Sequence, residues 1–303
     1  MDRFTLSPAH FDSLLKRYGI TPGKNPSAQW ERASSAQRWS LAKAIVKKTL
    51  AWMAGRHPKN GQQQILKAYD GQWKKKAFSR YLPQVDQGGA PWQWGDLKWV
   101  MSNEAGAAVR LLFLEEALNQ LNPSSVLEVG AGNGINLLVL AARFPLIKFS
   151  GIEPTSGGVE TAKLVIEDGE LPDALVSFSP FPLSDVSAPA RIRMEQGSAE
   201  HLPYADASVD VVMTSLALEQ MEEIRHEALS EIARVAKDWV VMLEPFRDVN
   251  QSGQRRAYVR TYDYFQGSIA ELARYGLKVE QVCLDMPHKS ILGTALVLAR
   301  RIR

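Results

Sequence analysis

The sequence predicts an α/β fold in which a seven-stranded, mostly parallel sheet follows an N-terminal helical unit. Three observations predict it. From Ser124 onward, short runs rich in β-branched residues alternate with helical stretches, which is typical of a sheet with helices on both faces. The last two runs, 277–284 and 291–299, flank a short turn with Pro287 that leaves no room for a parallel crossover. Residues 1–100 differ from the rest in charge and in tryptophan content.

The elements of the N-terminal unit follow from capping residues and apolar spacing. Ser7 and Pro8 combine a capping hydroxyl with proline at the first helical position, and Gly19 can end that helix. The predicted order is helix 7–18, helix 28–54, a basic helical stretch at 65–81, a linker or lid at 83–95, and helix 101–121. We expect two units, 1–100 and 101–303.

The second unit contains the strands. Its predicted parallel strands are 126–129, 148–152, 191–195, 209–214 and 239–243, with helices at 134–143, 156–167, 220–236 and 264–275. Residues 168–190 contain four prolines and are interpreted as an insertion. The two closing runs should form an antiparallel pair at a sheet edge.

The net charge of +3 hides an asymmetry between the two units. Residues 1–100 hold 17 Lys and Arg against 6 Asp and Glu, a net charge of +11, whereas residues 101–303 hold 19 against 27, a net charge of −8. The first hundred residues also contain seven of the eight tryptophans: Trp30, Trp39, Trp52, Trp73, Trp92, Trp94 and Trp99. This difference indicates separate roles for the two units.

Composition also excludes several classes of protein. The single cysteine, Cys283, excludes an internal disulfide framework and a cysteine-rich zinc site, and fits a reducing compartment. No apolar run approaches the length of a transmembrane helix, and the N-terminus lacks the order of a signal peptide. No metal motif stands out. We therefore expect a cytoplasmic protein without a metal.

The strongest motif is a glycine-rich turn between a strand and a helix. Residues 126–134 read Val-Leu-Glu-Val-Gly-Ala-Gly-Asn-Gly, so the turn is G-x-G-x-G. Ile135 stands where a dinucleotide-binding turn needs glycine or alanine. Glu128, just before the turn, would repel a pyrophosphate and suits a ligand with an ammonium group. Glu153 ends the next strand, where a carboxylate can accept hydrogen bonds from ribose hydroxyls.

At these residues the stretch 124–244 resembles the class I S-adenosylmethionine-dependent methyltransferases, in the broad subgroup that methylates small molecules. The resemblance implies a Rossmann-like fold, with S-adenosyl-L-methionine as cofactor and S-adenosyl-L-homocysteine as product. It implies that the methionine part is held by Glu128 and by Gly130, Ala131, Gly132, Asn133 and Gly134, and the ribose by Glu153 beside Pro154.

Two later segments extend the resemblance. The family shows Gly-Asp-Ala before Leu-Pro-(Phe/Tyr); this chain has Gly197, Ser198, Ala199, Glu200, His201, Leu202, Pro203 and Tyr204. Ser198 replaces the aspartate that usually contacts the adenine amine, a role that the serine oxygen or the Ala199 N–H could fill. Ser215 and Leu216 begin the segment that often reads Leu-His-His and faces the methyl group. Here it has no histidine, which excludes a histidine base at that place.

Three side chains are candidates for acid–base roles: Glu219, His201 and Tyr258. Each also has a structural interpretation, because a glutamate is favoured at a helix start and a loop histidine is commonly exposed. Arg255, Tyr258, Tyr262 and Tyr264 precede the late helix, where the family often carries an insertion over the acceptor pocket.

The resemblance implies methyl transfer to a small-molecule acceptor by in-line displacement. Residues 1–100 lie outside the resemblance, and our hypothesis is that they form a cap over the acceptor. One alternative is methylation of RNA or another anionic macromolecule held by the basic unit and its Lys74–Lys76 run. Another is an S-adenosylmethionine-binding protein without transferase activity. Trp39 and Trp52 are expected in the core, and Trp92, Trp94 and Trp99 could close over the active site.

Overall fold

The strands fall into two sheets. The computed structural model describes residue 6 and residues 8–56, 62–73, 78–83 and 88–302. Within these ranges the strands are β1 (Ala90–Trp94), β2 (Leu97–Met101), β3 (Ser125–Val129), β4 (Lys148–Glu153), β5 (Arg193–Gln196), β6 (Val209–Ser215), β7 (Ala236–Glu244), β8 (Leu277–Cys283), β9 (His288–Lys289) and β10 (Ala295–Arg301).

The helices lie before and between these strands. In the described part of the chain they are α1 (Pro8–Arg17), α2 (Ala28–Met53), α3 (Gln62–Trp73), α4 (Asn103–Leu121), α5 (Ile135–Arg143), α6 (Ser156–Asp168), α7 (Asp173–Phe178), α8 (Arg225–Val235) and α9 (Gly253–Thr261). Short 3-10 turns connect several of them. None of the described helices is long and apolar enough to cross a membrane.

The larger sheet has seven strands in the order β5-β4-β3-β6-β7-β10-β8. The first five strands of this order, β5, β4, β3, β6 and β7, pair in parallel with their neighbours. Strand β10 runs antiparallel to both β7 and β8. Leu296 of β10 lies opposite Leu243 on one side and Cys283 on the other. The predicted fold class, a Rossmann-like, mostly parallel sheet with an antiparallel last strand, is thereby confirmed.

The topology places a ligand site at the carboxyl end of β3. From β3 the chain builds β4 and β5 on one side, and it then returns to build β6 and β7 on the other. The connections therefore diverge between β3 and β6, and open sheets of this kind bind ligands at such a switch point. Successive residues of β3 face opposite layers, since Val126 packs in the cluster that contains α4 and α5 and Leu127 in the cluster that contains α8.

The N-terminal unit differs from its prediction at residues 90–101. These residues form the β1–β2 hairpin instead of a linker, and β1 also pairs with β9 near the end of the chain, with Trp92 opposite Lys289. The Trp30 indole N–H donates to the Trp92 carbonyl at 3.0 Å, which fastens α2 to the hairpin. The proline, glycine and tryptophan content of this segment indicates a linker, and it does not reveal that buried and partly buried side chains alternate there as in a strand.

The prediction that Trp39 and Trp52 belong to the core is wrong. Their exposed fractions are 66% and 65%, because α2 buries a narrow face that contains Trp30 and Leu41. Trp92, Trp94 and Trp99 are buried in the main core. Lys74–Lys76 lies outside the described residues.

Several predicted boundaries move in the second unit. The predicted helix 220–236 begins at Arg225, and the predicted helix 264–275 is a 3-10 turn over Ile269–Tyr275. Helix α9 was not predicted, since its polar sequence has no apolar periodicity. The predicted insertion at 168–190 contains α7.

Candidate active site

The glycine loop, residues Gly130–Gly134, joins β3 to α5 and requires glycine for two reasons. Gly130 and Gly132 have φ of +76° and +57°, which residues with a Cβ rarely adopt. A Cβ on Gly130 would lie 2.5 Å from the Ala217 Cβ, and one on Gly132 would lie 2.8 Å from the Trp73 ring. The N–H groups of Gly130 and Ala131 donate to the Ile152 carbonyl. The loop is therefore held close to the end of β4.

Glu128, in β3, supplies a buried and half-satisfied carboxylate. Its Oε1 accepts a 2.7 Å hydrogen bond from the Asn136 amide, whereas its Oε2 has no hydrogen-bond partner in the described part of the chain. Burial raises the pKa of Glu128 to about 8. A buried oxygen without a donor is costly, so this position suits a ligand that brings a cation or a donor.

Glu153, at the end of β4, is oriented by three protein donors. Its carboxylate accepts from the Gly132 N–H at 2.8 Å, from the Thr155 N–H at 3.0 Å and from the Thr155 hydroxyl at 2.5 Å. These contacts tie the glycine loop to the start of α6. A carboxylate accepts about four hydrogen bonds, so a ligand hydroxyl can still be added.

Glu128, Glu153 and the glycine loop border a cavity of about 360 Å³, which we call the loop cavity. Ten of the residues predicted at the site line it: Glu128, Gly130, Ala131, Gly132, Asn133, Glu153, Pro154, Ser215, Leu216 and Glu219. Gly134 is the N-cap of α5 and does not line it. Leu216 has a φ of +53°, which is unusual for a residue with a side chain and marks the turn after β6 as a constrained site.

Helix α3 of the N-terminal unit closes one side of the loop cavity. The Asp70 carboxylate accepts a 2.7 Å hydrogen bond from the Gly157 N–H and a 3.1 Å hydrogen bond from the Ser156 hydroxyl at the start of α6. A carboxylate there is favoured by the helix macrodipole. Trp73 and Tyr69 line the cavity from the same helix. Sequence periodicity did not indicate these contacts, because they join elements far apart in the chain.

A second cavity of about 300 Å³, the tyrosine cavity, adjoins the first. Residues from α2, α4, α9 and the segment around β9 contribute to it. The two cavities share five lining residues: Arg110, Leu216, Glu219, Tyr264 and Lys289. A reaction between two bound molecules is therefore sterically possible at this shared border.

Glu219 lies at the shared border as a buried carboxyl group. Its Oε1 accepts a 3.0 Å hydrogen bond from the Gln220 amide, and its Oε2 has no partner within the described ranges. Burial raises the pKa of Glu219, while Lys289 and Arg110 oppose that rise. A carboxylate with a raised pKa is a better proton acceptor near neutral pH.

Tyr258, Tyr262 and Tyr264 pack together as a tyrosine wall along the second cavity. The ring centres of Tyr258 and Tyr262 are 4.8 Å apart, those of Tyr258 and Tyr264 are 5.3 Å apart, and the Tyr258 hydroxyl donates to the Tyr264 hydroxyl at 3.4 Å. Burial raises the pKa of Tyr258 and of Tyr264. Lys48 of α2 fastens this region by donating to both Asp263 oxygens at 2.8 Å.

Other predicted site residues lie apart from the two cavities. His201 is exposed and lines neither one, so its placement does not support a role as base. Ser198, Ala199 and Glu200 also line neither cavity, and the Ser198 hydroxyl donates to the Glu200 carboxylate at 2.8 Å. Their contact with an adenine stays a prediction. In the described residues no group of three or more His, Cys, Asp or Glu side chains could hold a metal ion.

The lining residues that the sequence did not indicate include Arg110, His288 and Lys289. The Arg255 guanidinium lies 3.0 Å from the His288 Nε2, and burial with the neighbouring Arg255 lowers the pKa of His288 to about 4. A run of mixed residues after Pro287 carried no motif. Only the pairing of β9 with β1 brings His288 and Lys289 to the cavity.

Comparison with known proteins bears on the same residues. Residues 127–241 match the family model for a methyltransferase domain. None of the curated proteins searched matches the chain. The solved structure of the [4+2]-cyclase SpnF is 17% identical, with a TM-score of 0.54 over 81% of this chain and 98% of that chain. A geranyl diphosphate methyltransferase in complex with GPP and sinefungin is 14% identical, with a TM-score of 0.51 over 78% and 100%. At these identities the two structures show the shared fold.

The site agrees with the family match on two structural points. The unpartnered Glu128 oxygen suits the ammonium of a methionine moiety, and the positive φ of Gly130 and Gly132 gives the turn a conformation that residues with a Cβ rarely adopt. The matched residues also contain the switch point of the sheet. Residues 127–241 therefore carry a methyltransferase domain, on the Rossmann-like fold of the class I S-adenosylmethionine-dependent enzymes.

Proposed function

We propose that the protein transfers a methyl group from S-adenosylmethionine to a small-molecule acceptor in the tyrosine cavity. The observation that carries the proposal is the shared border of the two cavities, where Leu216 and Glu219 line both. A cavity of about 300 Å³ is at the small end of the range for ligand pockets and favours a small acceptor.

The residues of the loop cavity would hold the cofactor. Glu128 would bind the ammonium of the methionine part, the glycine loop would accommodate its chain, and Glu153 would accept from a ribose hydroxyl. When bound, S-adenosylmethionine supplies a methyl group on a sulfonium centre, whose leaving group is a neutral thioether. No acid is needed for such a leaving group, so positioning of the acceptor is the main task of the protein.

Glu219 would act as the base where the acceptor must lose a proton. Its unpartnered Oε2 and raised pKa suit proton acceptance from a hydroxyl or ammonium group. Tyr258 lines the tyrosine cavity and would orient the acceptor rather than remove its proton, since burial raises the pKa of its hydroxyl.

The N-terminal unit would act as the cap of the active site. Helix α2 contributes Gln37, Ser40 and Leu41 to the tyrosine cavity, and α3 contributes Tyr69 and Trp73 to the loop cavity. This arrangement supports a role in choosing the acceptor. The basic charge of the unit leaves RNA as an alternative acceptor that the experiment must separate.

The test uses S-adenosylmethionine labelled in its methyl group. The protein is incubated with separate small-molecule and RNA fractions of a cell extract, at low and at high salt. Label in the small-molecule fraction at both salt concentrations supports the proposal. Label in RNA that falls steeply with salt supports the macromolecular alternative. Cofactor binding without label in either fraction contradicts transferase activity.

A matched pair of variants tests Glu219. Glu219→Gln removes the base, and Glu160→Gln removes a carboxylate on the exposed surface of α6. Glu219→Gln should lower kcat at least 100-fold for an acceptor that loses a proton, and Glu160→Gln should leave it unchanged. An unchanged kcat in Glu219→Gln, with such an acceptor, would show that this carboxylate is not the base.

A further inference from the structure

Two cationic side chains border the tyrosine cavity without an ion pair to any of the described residues. Arg110 comes from α4 and Lys289 from β9, and both line this cavity. Neither side chain makes a hydrogen bond or an ion pair in the described part of the chain, in contrast to Lys48 or Arg143, which pair with carboxylates at 2.8 and 2.9 Å. Charges with little access to water are ordinarily paired, so two half-buried cations without an ion pair at one cavity indicate a missing anion.

The nearby carboxyl groups do not neutralise this pair. Glu219 borders the same cavity and attracts both cations, but its single carboxylate can balance only one of the two positive charges. Glu104 is already paired with Arg80. Burial lowers the pKa of both Arg110 and Lys289, the charge of Arg110 lowers that of Lys289 further, and Glu219 opposes the shift in both. A bound anion would relieve this cost.

The opposite side of the cavity is apolar and aromatic. The ring centres of the tyrosine wall are 4.8 to 6.5 Å apart, so the rings pack on one another and present a surface. An aromatic cage for a quaternary ammonium needs its rings spread around the cation, which this packing does not provide. Leu41 and Ile291 are buried beside the wall. This side therefore fits an apolar or aromatic body.

We infer that the methyl acceptor is a small acid, whose carboxylate or phosphate is bound by Arg110 and Lys289 and whose apolar body lies on the tyrosine wall. The inference rests on the proposed function, because it names the acceptor class of that same site. Guanidinium groups bind both kinds of anion in bidentate fashion, and an ammonium group adds a point charge.

A competing assignment is that the two cations bind the carboxylate of the cofactor, since both also line the loop cavity. The two assignments differ in which affinity changes. If the anion belongs to the acceptor, loss of either cation weakens acceptor binding and leaves the affinity for S-adenosylhomocysteine near its original value. If the anion belongs to the cofactor, loss of either cation weakens S-adenosylhomocysteine binding and leaves the affinity for the acceptor near its original value.

The first experiment measures binding and does not require turnover. Benzoate, phenyl phosphate and the neutral analogue benzyl alcohol are titrated into the full chain with S-adenosylhomocysteine present. At least one anion should bind on the order of tenfold more weakly to Arg110→Met and to Lys289→Met than to the original protein, and benzyl alcohol should not distinguish them. Lys289→Arg should keep most of the affinity, and Lys47→Met, at an exposed site of α2, should keep all of it.

The variants also report on folding. Because Arg110→Met removes a half-buried charge that makes no ion pair with the described residues, its urea midpoint should be no lower than that of the original protein. Equal anion binding by the original protein and both methionine variants overturns the inference. So does a tenfold loss of S-adenosylhomocysteine affinity with unchanged anion binding.

The second experiment identifies the charge of the product. The labelled product of the small-molecule fraction is applied to an anion exchanger at neutral pH, and retention is expected. Label in a neutral or cationic product overturns the inference while leaving the proposed methyl transfer intact. Absence of any label contradicts the proposed function, and the binding titration then still decides whether the cavity takes anions.

Discussion

Replacement of Glu128 by glutamine should stabilise the protein and weaken cofactor binding at the same time. The pKa of this carboxyl group rises from 4.5 to about 8 in the folded protein. A raised pKa contributes stability that is fully present below pH 4.5 and is lost as the pH rises through 8. The loss is about 1.4 kcal/mol per pH unit in that range, so it reaches the order of 5 kcal/mol. Glutamine avoids this loss and still accepts from Asn136.

Glu244 provides the matched control. It is equally buried, with a pKa of about 8, but it does not line the loop cavity, and its Oε1 accepts from the N–H groups of Ala217 and Leu218. Glu244→Gln should change the pH dependence of stability by a similar amount, because the pKa of Glu244 is raised to the same value. Glutamine keeps a side-chain oxygen that can accept from the same N–H groups. It should change the affinity for S-adenosylhomocysteine far less than Glu128→Gln does.

The measurements are urea unfolding of the ligand-free protein from pH 5 to 8.5 and calorimetric titration with S-adenosylhomocysteine. The unfolding free energies of Glu128→Gln and of the original protein should diverge as the pH rises, with the variant more stable. The variant should bind S-adenosylhomocysteine at least tenfold more weakly at pH 8, since a charged hydrogen bond is lost. Parallel stability curves together with equal affinity would refute the assignment of Glu128.

Three further predictions concern the elements around the two cavities. Gly132→Ala and Gly253→Ala should each cost about 1–2 kcal/mol of stability, because φ is +57° and +54°. Only Gly132→Ala should lose S-adenosylhomocysteine affinity, because its Cβ would meet the indole ring of Trp73 in α3. Equal affinities of the two variants would contradict this steric conflict. Lys48→Met should raise the acceptor KM by up to roughly fivefold without changing cofactor affinity, because it removes the ion pair with Asp263 beside the tyrosine wall, whereas Lys47→Met should change neither. Asp70→Ala should speed hydrogen exchange in α3 and weaken S-adenosylhomocysteine binding; unchanged protection would count against the capping contact.

The glycine loop and the sheet could be predicted because their signals are local. A strand, an acidic residue and three glycines occur within nine consecutive residues, and β-branched runs alternate with helical spacing on the same scale. The antiparallel end of the sheet also followed from one short turn. Each of these features depends on neighbours in sequence, which a single chain displays directly.

The tyrosine cavity could not be predicted in the same way. Arg110 lies on a mainly apolar helix, and Lys289 lies in a two-residue strand that exists only through its pairing with β1. Trp39 shows the opposite failure, because helical spacing is necessary for a core position but does not say which face finds a partner. These positions depend on contacts between distant segments, for which one sequence carries no local signal.

The pairing of β1 with β9 has a consequence for the order of folding during synthesis. The ribosome releases the glycine loop and the α3–α6 contact long before residues 288 and 289, which complete the small sheet and the tyrosine cavity. Contacts of such high sequence separation form late and slowly. The nascent chain should therefore bring the glycine loop, α3 and α6 together first, and should complete the tyrosine cavity only when nearly all of the chain has emerged.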